Sequence, residues 1–160
     1  MATTGRARNS FRKEKIPAEL FEIAAEEKDY LFVQNSQILN AGRGLFSVIP
    51  IFKNEIIAIF KGRVLSAVQA ETHAASGSGT YFINLPDGKT LDCKNTKCFA
   101  KYANDASGSG NTNFKNNAFI TLTSNDKVCL AAIKKINPGE EIFCDYGKNY
   151  WRHNTLQKRK

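Results

Sequence analysis

Two short segments concentrate polar side chains where a purely structural element would be apolar: Lys101-Tyr102-Ala103-Asn104-Asp105 and Glu141-Ile142-Phe143-Cys144-Asp145-Tyr146-Gly147. The second begins as a strand and ends in an acid, a tyrosine and a glycine. This leaves the Tyr146 phenol at the mouth of a turn instead of in the core. The first closes an apolar, helix-like run with Asn104 and Asp105. An amide that both donates and accepts therefore stands beside a carboxylate that only accepts, where the chain leaves packed structure. Gly42-Arg43-Gly44 is by itself a weak signal, since a tight turn between strands explains the same spelling. Hydrogen-bond positioning of a polar ligand is the chemistry this set offers.

The elements that must hold these segments are short. A basic arm runs to about Lys15, and Pro17 opens a helix over Ala18–Lys28 with Leu20, Ile23 and Ala24 on one face. Tyr30–Gln34, Ile38–Leu39, Leu45–Val48 and Glu55–Lys61 read as strands. Ser66 with Gln69 three residues on is a capping box for a helix through Ala75, ended by Ser-Gly-Ser-Gly. Tyr81–Leu85 pairs with Thr90–Cys93 across Pro86-Asp87-Gly88. Asn95 caps a short helix through Ala103, and a polar loop, Ser107–Asn117, leads to strands Ala118–Thr123 and Val128–Ile133. Pro138-Gly139 supplies the last tight turn. Many short strands and few helices make a mainly β chain.

A hydrophobic content of 42% in 160 residues fits one compact domain. The longest apolar run, Ile56–Phe60, is far too short to span a bilayer, so no membrane association is expected. No apolar block follows Arg6, Arg8, Arg12 and Lys13, so no secretory signal is expected, and nucleus or cytosol is the default. Cys93, Cys98, Cys129 and Cys144 have neither CxxC spacing nor a nearby His pair, which argues for reduced thiols and no metal site. The net charge of +8 gathers at Arg6–Lys15 and Arg152–Lys160. Such ends suit polyanions through counterion release, and equally suit solvated tails.

Four segments in order between Tyr30 and Trp151 resemble SET domains of the histone-lysine methyltransferase type. Gly42-Arg43-Gly44-Leu45-Phe46 is similar to the family's Gly-x-Gly segment, which approaches the methionine carboxylate of S-adenosyl-L-methionine. Thr80-Tyr81-Phe82-Ile83-Asn84-Leu85 resembles its tyrosine-bearing strand, near cofactor and substrate lysine; by itself it reads equally as an amphipathic strand with a half-buried tyrosine. Lys101–Asp105 stands for the aromatic-x-Asn-His segment, with Asp105 where histidine is usual. Asn137–Ile142 followed by Cys144–Gly147 resembles the segment whose catalytic tyrosine falls at Tyr146.

The resemblance implies a mainly β SET fold of small curved sheets with a few short helices and a C-terminal pseudoknot in which the last two segments cross. It implies a basic arm with a helix at 1–29, a SET domain at 30–151 and a basic tail at 152–160. Cofactor contacts fall on Gly42, Arg43, Gly44, Tyr81, Asn104, Asp105 and Trp151, the last either stacking on adenine or plugging the C-terminus. The substrate channel falls on Phe60, Tyr81, Phe143, Cys144 and Tyr146. The post-SET zinc cluster of many relatives is absent.

The implied activity is methylation of a lysine on a histone or another protein with an exposed tail, in the nucleus, with nucleosomal DNA suited to the basic ends. A lysine ammonium must first lose a proton, and an apolar channel lowers its pKa. Small Cys144 and the phenol-free Phe60 imply capacity beyond one methyl group. The rival readings are a non-catalytic SET-like module for nucleic acid or protein, favoured by Asp105, and an enzyme for a non-histone substrate.

Overall fold

The computed structural model describes residues 7–8, 19–77, 79–108 and 113–146. In chain order its elements are β1 (Ala7–Arg8), β2 (Phe21–Glu22), α1 (Glu27–Tyr30), β3 (Leu31–Asn35), β4 (Arg43–Ser47), β5 (Glu55–Ile59), β6 (Arg63–Leu65), α2 (Ala67–Ala75), β7 (Phe82–Asn84), β8 (Thr90–Asp92), β9 (Ala118–Leu122), β10 (Val128–Ala132) and β11 (Glu141–Ile142). Two 3-10 turns cover Gly79–Tyr81 and Ala100–Tyr102. The chain divides into two compact units: residues 19–60 with 98–145, and residues 61–97 with β1 and Tyr146.

The first unit holds two sheets, in the orders β2-β5-β10-β9 and β11-β4-β3. All five residues of β10, Val-Cys-Leu-Ala-Ala, are buried, as an interior strand covered on both faces requires. Antiparallel β9 matches it residue for residue from Val128↔Leu122 to Ala132↔Ala118, while its pairing with β5 shifts register between Leu130 and Ala131. In the other sheet β3 and β4 pair antiparallel, and the registered Phe32 and Phe46 stack with centroids 5.5 Å apart. Such a cross-strand aromatic pair contributes roughly 0.2–1 kcal/mol.

The second unit is one sheet, β1-β7-β8-β6, with α2. The capping box forms as the sequence requires: Ser66 Oγ accepts from Gln69 N at 3.2 Å, and Ser66 N donates to Gln69 Oε1 at 3.0 Å. β7 and β8 form the expected hairpin.

The expected curved sheets are not found. Each of the three sheets is a short open ribbon with two ends to its strand order, and none is curled or closed. Strands of two to five residues accumulate too little twist to coil a sheet. The expected helix over 18–28 is also replaced, within the described residues, by β2 and the single turn α1. Phe21 N donates to Asn54 O at 3.0 Å and β2 lies parallel to β5, so sheet pairing overrides the helical pattern of this stretch. Ile38–Leu39 is a bend and turn, and the helix expected after Asn95 shrinks to the 3-10 turn at Ala100–Tyr102.

Candidate functional site

The site is built around Glu141, a carboxylate only 2% exposed. Its Oε1 accepts from Ser36 Oγ at 2.6 Å and its Oε2 from Gln37 N at 2.7 Å. Asn104 Nδ2 donates to Arg43 O at 2.9 Å and approaches Glu141 Oε1 at 3.4 Å. One buried acid therefore ties together the segment after β3, the Gly-Arg-Gly turn and the Asn104 segment. Hydrogen bonds to an ionised acceptor are worth roughly 1.5–3 kcal/mol each, and burying the acid without them would be prohibitive.

The glycines of this turn differ in their reasons. Gly42 has φ +76°, and a Cβ built there meets nothing within 4 Å. A Cβ on Gly44 would lie 2.2 Å from Glu141 Oε1 and 3.2 Å from Ser36 Cα. Gly42 thus meets a dihedral demand beside open space, and Gly44 lets the carboxylate reach the backbone. Arg43 is exposed, and its guanidinium folds back to donate to Val33 O at 2.9 Å.

The segment after Glu141 runs between two neighbours. Phe143 bridges parallel to Asn104, and Cys144 bridges parallel to Ala118. Cys144 N donates to Asn104 O at 2.8 Å, and Ala118 N donates to Phe143 O at 2.9 Å. Asn117 completes the seam with its side chain: Nδ2 donates to Glu141 O and Oδ1 accepts from Phe143 N, both at 2.9 Å. The amide copies one peptide unit of a strand, which only Asn or Gln can do.

Asp105 is buried, and its Oδ1 accepts from Ser107 N at 2.9 Å, Ser107 Oγ at 2.6 Å and Asn116 Nδ2 at 2.9 Å. Asn116 Oδ1 in turn accepts from Ala106 N at 2.9 Å. The carboxylate organises the chain that follows it, a task that uses its acceptor-only character. Phe143 packs with Ile38 and Ala106, and its ring lies 5.4 Å from that of Phe114.

Gly42, Arg43, Gly44, Asn104, Asp105, Phe60, Phe143 and Cys144 thus all belong to the first unit. Arg43, Gly44 and Asn104 meet at Glu141, while Phe143 and Cys144 lie beside Asn104. Phe60 is buried with its N–H on Val128 O, and the Cys144 thiol lies 3.8 Å from Ala103 O. Tyr81 and Tyr146 belong to the second unit. Tyr81 is half-buried and ends a 3-10 turn, so β7 starts one residue later than the sequence suggests. Tyr146 is buried. Trp151, Gly147, the tail 152–160 and most of the basic arm lie outside the described residues.

Ser36, Asn116, Asn117 and the inward role of Glu141 escape the sequence reading. The adjacent Asn116-Asn117 before β9 is a weak signal for backbone-mimicking amides, whereas Glu140-Glu141 gives no hint of which acid turns inward. Among the described residues no group of three or more His, Cys, Asp or Glu is placed to hold a metal ion. All four cysteines are buried. No helix among the described residues is long and apolar enough to cross a membrane.

No curated protein matches the chain. The fold is similar to that of ctPRC2 in an autoinhibited conformation bound to S-adenosylmethionine, at 22% identity and TM-score 0.61, over 81% of this chain and 17% of that one. It is similar also to a humanized mutant of the Chaetomium thermophilum Polycomb Repressive Complex 2 bound to an inhibitor, at 26% identity and TM-score 0.61, over 74% of this chain and 15% of that one. The chain therefore spans about a sixth of the length of those proteins. The family model of the SET domain matches residues 42–147. With the Gly-Arg-Gly turn, Asn104 and the segment leading to Tyr146 all inside that match, the chain belongs to the SET-domain family.

Proposed function

We propose that the chain is an S-adenosyl-L-methionine-dependent protein-lysine N-methyltransferase acting on an exposed basic tail, with a histone tail as first choice. The observation that carries this reading is the junction at Asn104. Its amide holds Arg43 O, and its carbonyl accepts from Cys144 N, two residues before Tyr146. Three sequence-distant segments that the family uses for cofactor and substrate are thereby joined.

The residues present fit the cofactor. The open space beside Gly42 allows close backbone approach, and the Asn104 amide contributes a donor and an acceptor. Bound S-adenosyl-L-methionine supplies an electrophilic methyl group on a sulfonium. Gly42, Arg43, Gly44, Tyr81 and Asn104 would hold it, and Trp151 would cover its adenine.

On this reading the target lysine would react as a free amine, the form that apolar side chains such as Phe60 and Phe143 would favour. The Tyr146 hydroxyl would orient the amine lone pair toward the methyl group that the bound cofactor would supply. Small Cys144 leaves volume for more than one methyl group. The basic ends of the chain suit nucleosomal DNA, and a nuclear location follows from the same reading.

A second reading is a non-catalytic SET module for nucleic acid or protein. Asp105 favours it, because a carboxylate taken up by Ser107 and Asn116 replaces a histidine donor. Transfer of labelled methyl to free histones and nucleosomes, with Tyr146→Phe run alongside, separates the two. Label on one histone that vanishes in the variant supports the enzyme. Absence of label together with absence of cofactor binding supports the module, and cofactor binding without label directs the search to a non-histone protein.

A further inference from the structure

β7 pairs with β8 along one side, and along its other side lies β1, parallel, with Ala7 opposite Phe82 and Arg8 opposite Ile83. β1 is the outermost strand of the sheet and closes what would otherwise be an open edge. Parallel neighbours cannot be joined by a tight turn, so this pairing is a long-range choice of the chain rather than the product of a local hairpin. The covered edge starts at the residue after Tyr81, and both belong to the same unit.

An open strand edge is a template for any extended peptide, because backbone hydrogen bonding supplies affinity without regard to sequence. The arm that takes this edge reads Arg6-Ala7-Arg8-Asn9-Ser10. It is basic, as a methyl-accepting tail would be, and its Ala7–Arg8 pair is extended, but the first lysine comes only at Lys13. The residue following the paired dipeptide is Asn9, whose amide nitrogen is not a nucleophile.

We propose that the N-terminal arm is an intramolecular competitor: Ala7–Arg8 holds the β7 edge and keeps extended basic peptides from it. The identity of the peptides excluded rests on the methyltransferase reading, whereas the occupancy of the edge does not. A segment tethered in cis acts at an effective concentration of about millimolar, so even a weak two-residue pairing competes with micromolar substrate. The apparent affinity of a competing peptide is its intrinsic affinity multiplied by the fraction of chains whose edge is free.

The test compares the full chain with a form lacking residues 2–10 and with the variant Ala7→Pro, which fixes φ and removes one of the two backbone donors of β1. A fluorescent peptide of residues 2–13 is titrated into each, and amide hydrogen exchange is followed over residues 82–84. Expected are at least about fivefold tighter peptide binding to both altered forms and faster exchange at 82–84. With a histone-tail substrate, KM falls by a similar factor while kcat is unchanged. Equal peptide affinity in all three forms, with unchanged exchange at 82–84, overturns the proposal. Turnover with the same KM in all three forms also overturns it and leaves the enzyme reading standing. Tighter peptide binding and faster exchange without turnover on any substrate support edge occupancy and count against the enzyme reading alone.

Discussion

Ser36 Oγ donates to Glu141 Oε1 at 2.6 Å across 105 positions of sequence, and this bond fixes the end of β3 against the start of the segment that leads to Tyr146. The Gly44 backbone and the Asn104 amide both lie against this carboxylate, and Phe143 and Cys144 follow directly from the strand that carries it.

Glu141→Ala should therefore be among the most damaging single changes in the protein. It leaves Ser36 Oγ and Gln37 N without their acceptor and weakens the hold on Asn104, a loss of roughly 2–5 kcal/mol. Glu141→Gln keeps one acceptor and should lose less. Urea midpoints measure both, and equal midpoints for the wild type and the alanine variant would remove the acid from its central role.

Gly44→Ala should destabilise by roughly 1–3 kcal/mol, since its Cβ would sit 2.2 Å from Glu141 Oε1. The clash needs the carboxylate, so a double-mutant cycle with Glu141→Ala should show strong non-additivity. Simple addition of the two effects would mean that the glycine serves some other contact.

Asn117→Asp tests the backbone-mimicking amide. The new oxygen that replaces Nδ2 faces Glu141 O, so a donor becomes a repelling acceptor while the bond from Phe143 N survives. A loss of about 2–3 kcal/mol is expected, larger at pH 7 than at pH 4, where the carboxyl can donate again. Thermal melts at the two pH values give the comparison.

Asp105→His would install the residue usual in the family. Here it should lower stability by about 1–3 kcal/mol, because Ser107 and Asn116 lose the oxygen that organises them. Cofactor titration alongside a melt separates the loss of the loop from any gain in binding; a histidine variant as stable as the wild type would show that the carboxylate is dispensable.

Stability should also fall in alkali. Burial pushes the Cys129 thiol from 9.0 up to about 12, and burial, reinforced by Glu27 and Glu55, pushes the Tyr30 phenol from 10.0 up to about 12. Both protons stay on in the folded chain at pH values where the unfolded chain releases them. Their contribution is fully present below about pH 9 and is lost as pH rises toward 12. Urea midpoints from pH 8 to 11 should decline, and in Cys129→Ala the decline should begin only near pH 10, with Tyr30. A midpoint flat to pH 11 in the wild type would contradict both shifts.

Much of the local order is legible because it follows from short-range chemistry. The Ser66–Gln69 capping box, the β7–β8 hairpin and the β9–β10 pair all announce themselves through neighbours in sequence. The failures share one cause. β2 replaces a helical pattern because β5 offers it a partner, and Glu141 turns inward because Ser36, Gln37 and Asn104 await it. Asn117 likewise gains its role only once β11 is beside it. Interactions between remote segments carry no periodicity, so polar residues with distant partners look like surface residues. The ordered motifs from Gly42 to Tyr146 reveal the family, but not the acid and amide that hold them together.

The interleaving of the first unit, with residues 19–60 completed only by 98–145, has a consequence for biosynthesis. A nascent chain released from the ribosome as far as β9 still lacks β10, the strand between β5 and β9, and lacks the acid that locks Ser36 and Gln37. Closure must wait until β10 and Glu141 have emerged, with β4 and β5 exposed meanwhile to chaperones or to one another. Nonsense mutations just before Glu141 should accordingly yield not a weakened protein but an aggregating or rapidly degraded one.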